Sequence, residues 1–308
     1  MIFRGKTMKK IFFFAILALC LASCRQETVQ PKVYGRYVPE RKDDFAWENE
    51  YAAFRMYGPA LKAENPSNGV DLWLKNSPAL AVDTMYGREL KDNRPYHINY
   101  DGNLDCYKVG HTAGCGGVVA VADEQVWVGG PYDRYEILEQ TDERFSFRLE
   151  YDSLLVGGEL YRETIVITAE AGKVLNQAQV ILTPCQPLAQ EQRLLLGGGI
   201  YLHDSLDACR IDSAQGLIAY AEDALSDRTA AQMNYDYTGS TSQGRSYIAV
   251  LTPGATRQEV MNGTLVSVRP YTPGDTLTYY FGACWSEWRD GGKAFPTDED
   301  WFDTKNWK

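Results

Sequence analysis

Apolar and polar residues alternate one by one through residues 144–151. Phe145, Phe147, Leu149 and Tyr151 fall on one side, and Arg144, Ser146, Arg148 and Glu150 on the other. Period-two alternation marks a half-buried β-strand, because successive side chains leave a strand on opposite faces. The same pattern predicts strands over 134–139, 159–169 and 174–182. Gly157-Gly158 and Ala171-Gly172 divide these strands as hairpin turns. Further strands are expected over 194–203, 217–221, 247–251, 264–269 and 276–284. Nearer the start, Ala53, Arg55 and Tyr57 alternate with Ala52, Phe54 and Met56, and Gly58-Pro59 closes the run as a turn. A short helix is expected over 298–304, with Thr297 as its N-cap and Asp298-Glu299-Asp300 in its first turn. There is no internal repeat. The expected fold is all-β, with large antiparallel sheets forming a single domain over 44–308.

Residues 8–24 have a different pattern. Met8-Lys9-Lys10 is basic, residues 11–19 are apolar, and Leu21-Ala22-Ser23-Cys24 follows. This is the layout of a secretory signal. The apolar run falls short of the ~20 residues of a membrane span. The Cys after Leu-Ala-Ser reads as a lipobox, so residues 1–23 are expected to be removed and Cys24 lipidated. Residues 24–43, polar and containing prolines, then read as a tether. The expected location is at a membrane through that lipid, in the periplasm or on the outer-membrane surface. The net charge of −10 argues against nucleic acid as a partner. It leaves room for a local basic site.

Cys106 and Cys115 have two readings, a local disulfide or buried thiols. No C-x-x-C occurs, and neither metal nor cofactor is expected.

The segment 96–117 is the densest in chemistry. It carries Tyr96, His97, Asp105, Tyr107 and His111, together with glycines at 110, 114, 116 and 117 that let a backbone approach closely. His97 and His111 are candidate proton carriers near neutral pH, and each could equally be a packed loop residue. Tyr96 and Tyr107 are their candidate partners. His203 beside Asp204 reads as structural. Asp71, Trp73 and Lys75 share one face of a strand and would suit a sugar acid. The ring would stack, and Lys75 or Arg55 would pair with a carboxylate. The plainer reading is an edge strand. Glu48 and Asn49 could touch substrate, or Trp47 beside them could simply plug the core. Trp285 and Glu287 alternate at the end of a strand, and Glu287 is a candidate base or a solvated acid. With 20 Tyr and 7 Trp, the chain is rich in rings on which sugars stack.

The stretch Trp47-Glu48-Asn49-Glu50-Tyr51-Ala52-Ala53-Phe54-Arg55-Met56-Tyr57-Gly58-Pro59 resembles the opening strand of galactose-mutarotase-like supersandwich proteins. Asp43-Asp44-Phe45-Ala46-Trp47-Glu48-Asn49, Phe54-Arg55-Met56-Tyr57-Gly58-Pro59, Asp71-Leu72-Trp73-Leu74-Lys75, the segment 96–117, Trp285-Ser286 and Glu299-Asp300-Trp301 together resemble a further family. It comprises lipoproteins of unknown function from polysaccharide-utilisation loci of Bacteroidota. The resemblance implies a supersandwich fold and an oligosaccharide or polysaccharide partner. The resemblance carries no settled mechanism; the chemistry expected from the residues is proton transfer at a sugar carbon, as in a lyase or epimerase, on a uronate-containing glycan. His97 or His111 would act with Tyr96 or Tyr107, and Arg55, Asp71, Trp73, Lys75, Asp105, Trp285 and Glu287 would hold the substrate. The second hypothesis is a glycan-binding protein without catalysis.

Overall fold

The computed structural model describes residues 31–64, 69–188, 193–203, 208–225 and 242–307. The expected signal and Cys24 lie outside the described residues. Among the described residues, no helix is long and apolar enough to cross a membrane.

The first sheet runs β1 (Tyr34–Val38), β2 (Asp44–Glu48), β3 (Ala52–Met56), β4 (Asp71–Lys75) and β5 (Asn103–Asp105) in sequence order, all antiparallel. Helix α1 (Val82–Lys91) lies between β4 and β5 in the chain. The chain continues through β6 (Cys115–Ala122), β7 (Gln125–Trp127), β8 (Arg134–Gln140), β9 (Arg144–Val156), β10 (Glu159–Glu170), β11 (Leu175–Pro184) and β12 (Leu194–Tyr201). There follow β13 (Cys209–Asp212), β14 (Leu217–Asp223), β15 (Arg245–Leu251), β16 (Arg257–Met261), β17 (Thr264–Tyr271), β18 (Leu277–Trp285) and α2 (Asp298–Phe302). An eight-stranded sheet has the order β13-β14-β15-β18-β11-β10-β9-β8, and a second five-stranded sheet the order β16-β17-β12-β6-β7. The all-β expectation of large antiparallel sheets holds.

Alternation decides how the layers meet. On β18, Leu277, Tyr279, Phe281 and Ala283 are buried in the main core, while Thr278 and Tyr280 are half-buried on the other face. Phe281 meets Trp47 and Phe54 of the first sheet edge-on, with ring centroids at 6.3 and 5.7 Å. A Cβ on Gly116 of β6 would stand 2.6 Å from Phe281. Both five-stranded sheets therefore pack on one face of the large sheet. Its other face is partly covered by α2, where Trp301 stacks on Tyr247 at 5.6 Å. The capping box expected at Thr297 is present, with Asp300 as its partner.

Two expectations change here, and of the two readings of Cys106 and Cys115 the buried thiols hold. Tyr34–Val38, expected as tether, is the edge strand β1 and pairs residue by residue with β2. The segment 96–117 divides between two sheets, since Asn103–Asp105 closes the first and Cys115 opens β6. Its glycines serve packing more than ligand approach. Gly114, at φ 65°, would place a Cβ 2.1 Å from the Val70 carbonyl oxygen. Cys106 and Cys115 are both free, buried thiols.

Candidate functional site

Six residues singled out in the sequence converge on one buried cage. Arg55 of β3 stands opposite Asp71 of β4, and Trp73 of β4 opposite Asp105 of β5. The Arg55 guanidinium lies 2.5 Å from Asp71, 3.4 Å from Asp105 and 3.7 Å from Asp44. It donates to the Tyr96 hydroxyl at 3.0 Å, and the Trp73 indole donates to Asp105 at 3.1 Å. The Tyr86 hydroxyl donates to Asp44 at 3.2 Å. His97 Nδ1 lies 3.2 Å from the Asp105 carbonyl oxygen and 3.4 Å from its carboxylate. The guanidinium carbon sits 5.2 Å from the Trp73 ring centre, which suits a cation–π contact. Every member is under 5% exposed.

Burial dominates the electrostatics of the cage. Desolvation pushes Asp71 and Asp105 up to about 7 against the pull of Arg55. Burial, then the neighbouring guanidinium, pushes His97 down to about 4. Arg55, with Arg41 also acting on Asp44 and Asp105, does not offset this desolvation, so Asp71 and Asp105 stay raised toward neutrality. Elsewhere in the core, burial raises Glu163 of β10 to about 8.

These shifts set a pH dependence of stability. A carboxyl with a raised folded value keeps a proton that the unfolded chain, at about 4, has already released. Its contribution is full below about pH 4 and falls away as pH rises to about 7 for Asp71 and Asp105, and to about 8 for Glu163. His97 acts oppositely, but only between about 4 and 6.5. The thermal midpoint is therefore expected to fall between about pH 6.5 and 8.5, by several degrees. Glu163→Gln should flatten the upper part of that fall. A midpoint that is level or rising over this window would contradict the assignment.

Lys75 does not face a ligand. Its ammonium donates to Glu48 at 2.7 Å and to the Asn49 carbonyl at 2.8 Å, and both charged side chains are fully buried. The Glu48 carboxylate also accepts from the backbone N–H groups of Ala81 and Val82 at 2.8 and 2.9 Å. It thereby caps the N-terminus of α1, which has no side-chain cap from its own N-cap residue. Asn49 caps the β2–β3 turn, accepting from Tyr51 and Ala52. Arg55, Lys75, Glu48 and Asn49 are thus scaffold, and a substrate carboxylate has no route to either cation.

The histidines separate. His97 is in the cage. His111 is exposed on a groove with Trp127, Gly129 and Leu155, which shares no lining residue with the cage. Tyr107 donates its hydroxyl to the Tyr201 carbonyl at 2.8 Å, and its ring meets His203 at 4.7 Å. His203 lies 2.9 Å from the Glu222 carboxylate and 2.7 Å from the Lys108 carbonyl. It pins the loop before β6, in keeping with its structural reading.

Trp285 and Glu287 line an open cleft of about 390 Å³, together with Asn76, Asn99, Gly102 and residues 242–244. Asn99 donates to the Gln243 side chain at 3.3 Å and accepts from Gly102 N–H at 2.8 Å. The Trp285 indole donates to the Gln243 carbonyl at 2.7 Å. Gly102, at φ 87°, would drive a Cβ into the Asn76 amide, so its bare backbone brings the two walls together. The cage supports this rim from beneath. Tyr96 and His97 point into it, and Asp105 N–H donates to the Tyr96 carbonyl, closing the loop that carries Asn99. Asn76, Asn99 and Gln243 had no signal in the sequence beyond Asn99 lying within the polar segment. Among the described residues, no group of His, Cys, Asp and Glu is disposed to hold a metal.

A scaffold of antiparallel sheets with a polar cleft at the strand ends defines a class of β-proteins that carry many activities. Within it, the chain belongs to the family described as a domain of unknown function, DUF4861, which it matches over residues 22–304. The uncharacterised protein P7 of Formosa agariphila is 26% identical over 276 residues, covering 87% of this chain. The chain spans 65% of the length of that relative. The crystal structure of the GH36 alpha-galactosidase AgaB from Geobacillus stearothermophilus overlaps 83% of this chain and 41% of its own. The TM-score is 0.39 at 12% identity, too loose to bear on activity.

Proposed function

We propose that the protein is an exported glycan-binding lipoprotein that takes uncharged sugar units in the cleft beside Trp285 and Glu287. The carrying observation is the lining of that cleft: amides at Asn76, Asn99 and Gln243, one exposed carboxylate and an indole. Amides and carboxylates pair with sugar hydroxyls as donors and acceptors. Glu287 is the single charged group in the lining among the described residues, which disfavours an anionic sugar at this point.

Lyase or epimerase chemistry at His97 has less support. A ring held near 4 and shut inside the cage neither reaches a substrate nor takes a proton at neutral pH. Hydrolysis by paired carboxylates lacks a second acid in the cleft among the described residues. Export and anchoring at Cys24 rest on the lipobox pattern alone, and a Cys24→Ser variant released from the membrane fraction would support them.

The test offers purified protein a panel of neutral and acidic oligosaccharides. Binding is followed by calorimetry, and products by mass and ultraviolet absorbance. Saturable binding of a neutral glycan without turnover is expected, weakened about tenfold by Asn76→Ala and by Glu287→Gln. An unsaturated uronate product would overturn the binding reading in favour of a lyase.

A further inference from the structure

A second recess opens on the outer face of the large sheet, where the cover given by α2 ends. Trp307, in the turn after α2, packs on Trp301 with ring centroids 4.9 Å apart and donates its indole N–H to the Trp301 carbonyl at 2.9 Å. Beside it lies a pocket of about 270 Å³, lined by Thr168 and Glu170 of β10, Lys173 of the following turn, Gln177 of β11, Tyr280 of β18 and Trp307. It shares no residue with the cleft.

We propose that this pocket binds an acidic sugar unit of a glycan, with the sugar ring against Trp307 and Tyr280 and its carboxylate on Lys173. The size falls just below the roughly 300 Å³ at which ligand sites usually start, and so fits one sugar ring and not a chain. Two rings supply the apolar walls that pyranose C–H groups pack on. Polar groups are spaced between them. Gln177 spends one amide hydrogen on the Tyr280 hydroxyl at 3.3 Å and keeps its carbonyl oxygen, and the Thr168 hydroxyl shares a hydrogen bond with Ser146 at 2.9 Å. Charge selects the ligand. Glu170 shares Arg144 with Glu139, whereas Lys173 has no ion pair among the described residues. The lining charge left without an ion pair is therefore the Lys173 ammonium, whereas the cleft offers the Glu287 carboxylate. An acid, a cation and a ring do share one surface, as a sugar acid requires, but on β10, β11 and β18 instead of β4. The glycan reading supplies only the class of ligand.

The experiment titrates D-glucuronate and, separately, D-glucose into the protein at low ionic strength, following tryptophan fluorescence and heat. Four proteins are compared: wild type, Lys173→Met, Trp307→Ala and Glu287→Gln. Glucuronate is expected to saturate, about tenfold more tightly than glucose. Lys173→Met should remove that preference, Trp307→Ala should abolish glucuronate binding, and Glu287→Gln, which belongs to the separate cleft, should alter glucose binding and not glucuronate binding. If Trp307→Ala fails to fold, Lys173→Met and Gln177→Leu carry the test. Unchanged glucuronate binding in Lys173→Met would overturn the proposal. So would a lack of saturation up to on the order of 100 mM. Loss confined to Glu287→Gln would also overturn it, by placing the acidic sugar in the cleft.

Discussion

Arg55→Met is expected to destabilise the protein by about 3–5 kcal/mol, the usual cost of removing one partner from a buried charge cluster. Methionine fills similar volume, so the loss is electrostatic. Asp44, Asp71 and Asp105 would keep their burial and lose the one cation within 4 Å among the described residues. They can respond only by taking protons, which moves their folded values further above those of the unfolded chain. The deficit is therefore expected to be small near pH 5 and large near pH 8. Chemical denaturation of both proteins across that range measures it. A deficit that is equal at both ends would mean the carboxyls are already protonated and that Arg55 acts through packing. The rim of the cleft should loosen along with the cage, because Tyr96 and His97 lie in the loop that also holds Asn99. Glycan binding should then weaken even in solutions where the variant remains folded.

The second large effect is expected at Glu48. Glu48→Ala should cost about 3–5 kcal/mol, since it strands the fully buried Lys75 ammonium and uncaps α1 at once. Hydrogen exchange should show α1 losing protection ahead of the large sheet, because Glu48 is its N-terminal cap. The double variant Glu48→Leu/Lys75→Met separates the two causes. Replacing both charges with apolar groups removes the desolvation cost on both sides, so most of the loss should return. The remainder should match the roughly 1 kcal/mol of a lost cap. A double variant as unstable as Glu48→Ala would show that the pair contributes more through geometry than through charge.

The sequence carried much of the scaffold. Alternation along 144–151 placed Phe145, Phe147 and Leu149 in the core, and Thr297 with Asp300 marked the start of α2. These features are local, set by the faces of a strand and by the first turn of a helix, so they can be read residue by residue. Six members of the cage were also singled out, Arg55, Asp71 and Trp73 by their alternate positions on β3 and β4, and Tyr96, His97 and Asp105 by the dense polar segment 96–117.

Their role was fixed only by tertiary structure. Alternation says that Arg55 and Lys75 lie on one side of their strands and Phe54 and Leu74 on the other. It does not say which side is dry. In β3 and β4 both sides are buried, because α1 and the loop over 96–105 cover the face that a simple sandwich would leave wet. The helix that provides that cover was itself illegible. It has Gly87 in its middle, and its cap comes from Glu48, far upstream on β2. Likewise, the cleft and the outer pocket are each assembled from segments far apart in the chain. Side-chain identity and local spacing determined which residues could do chemistry. Desolvation, a property of the packed whole, decided that the Arg55 and Lys75 charges hold the protein together while Glu287 and Lys173 face outward.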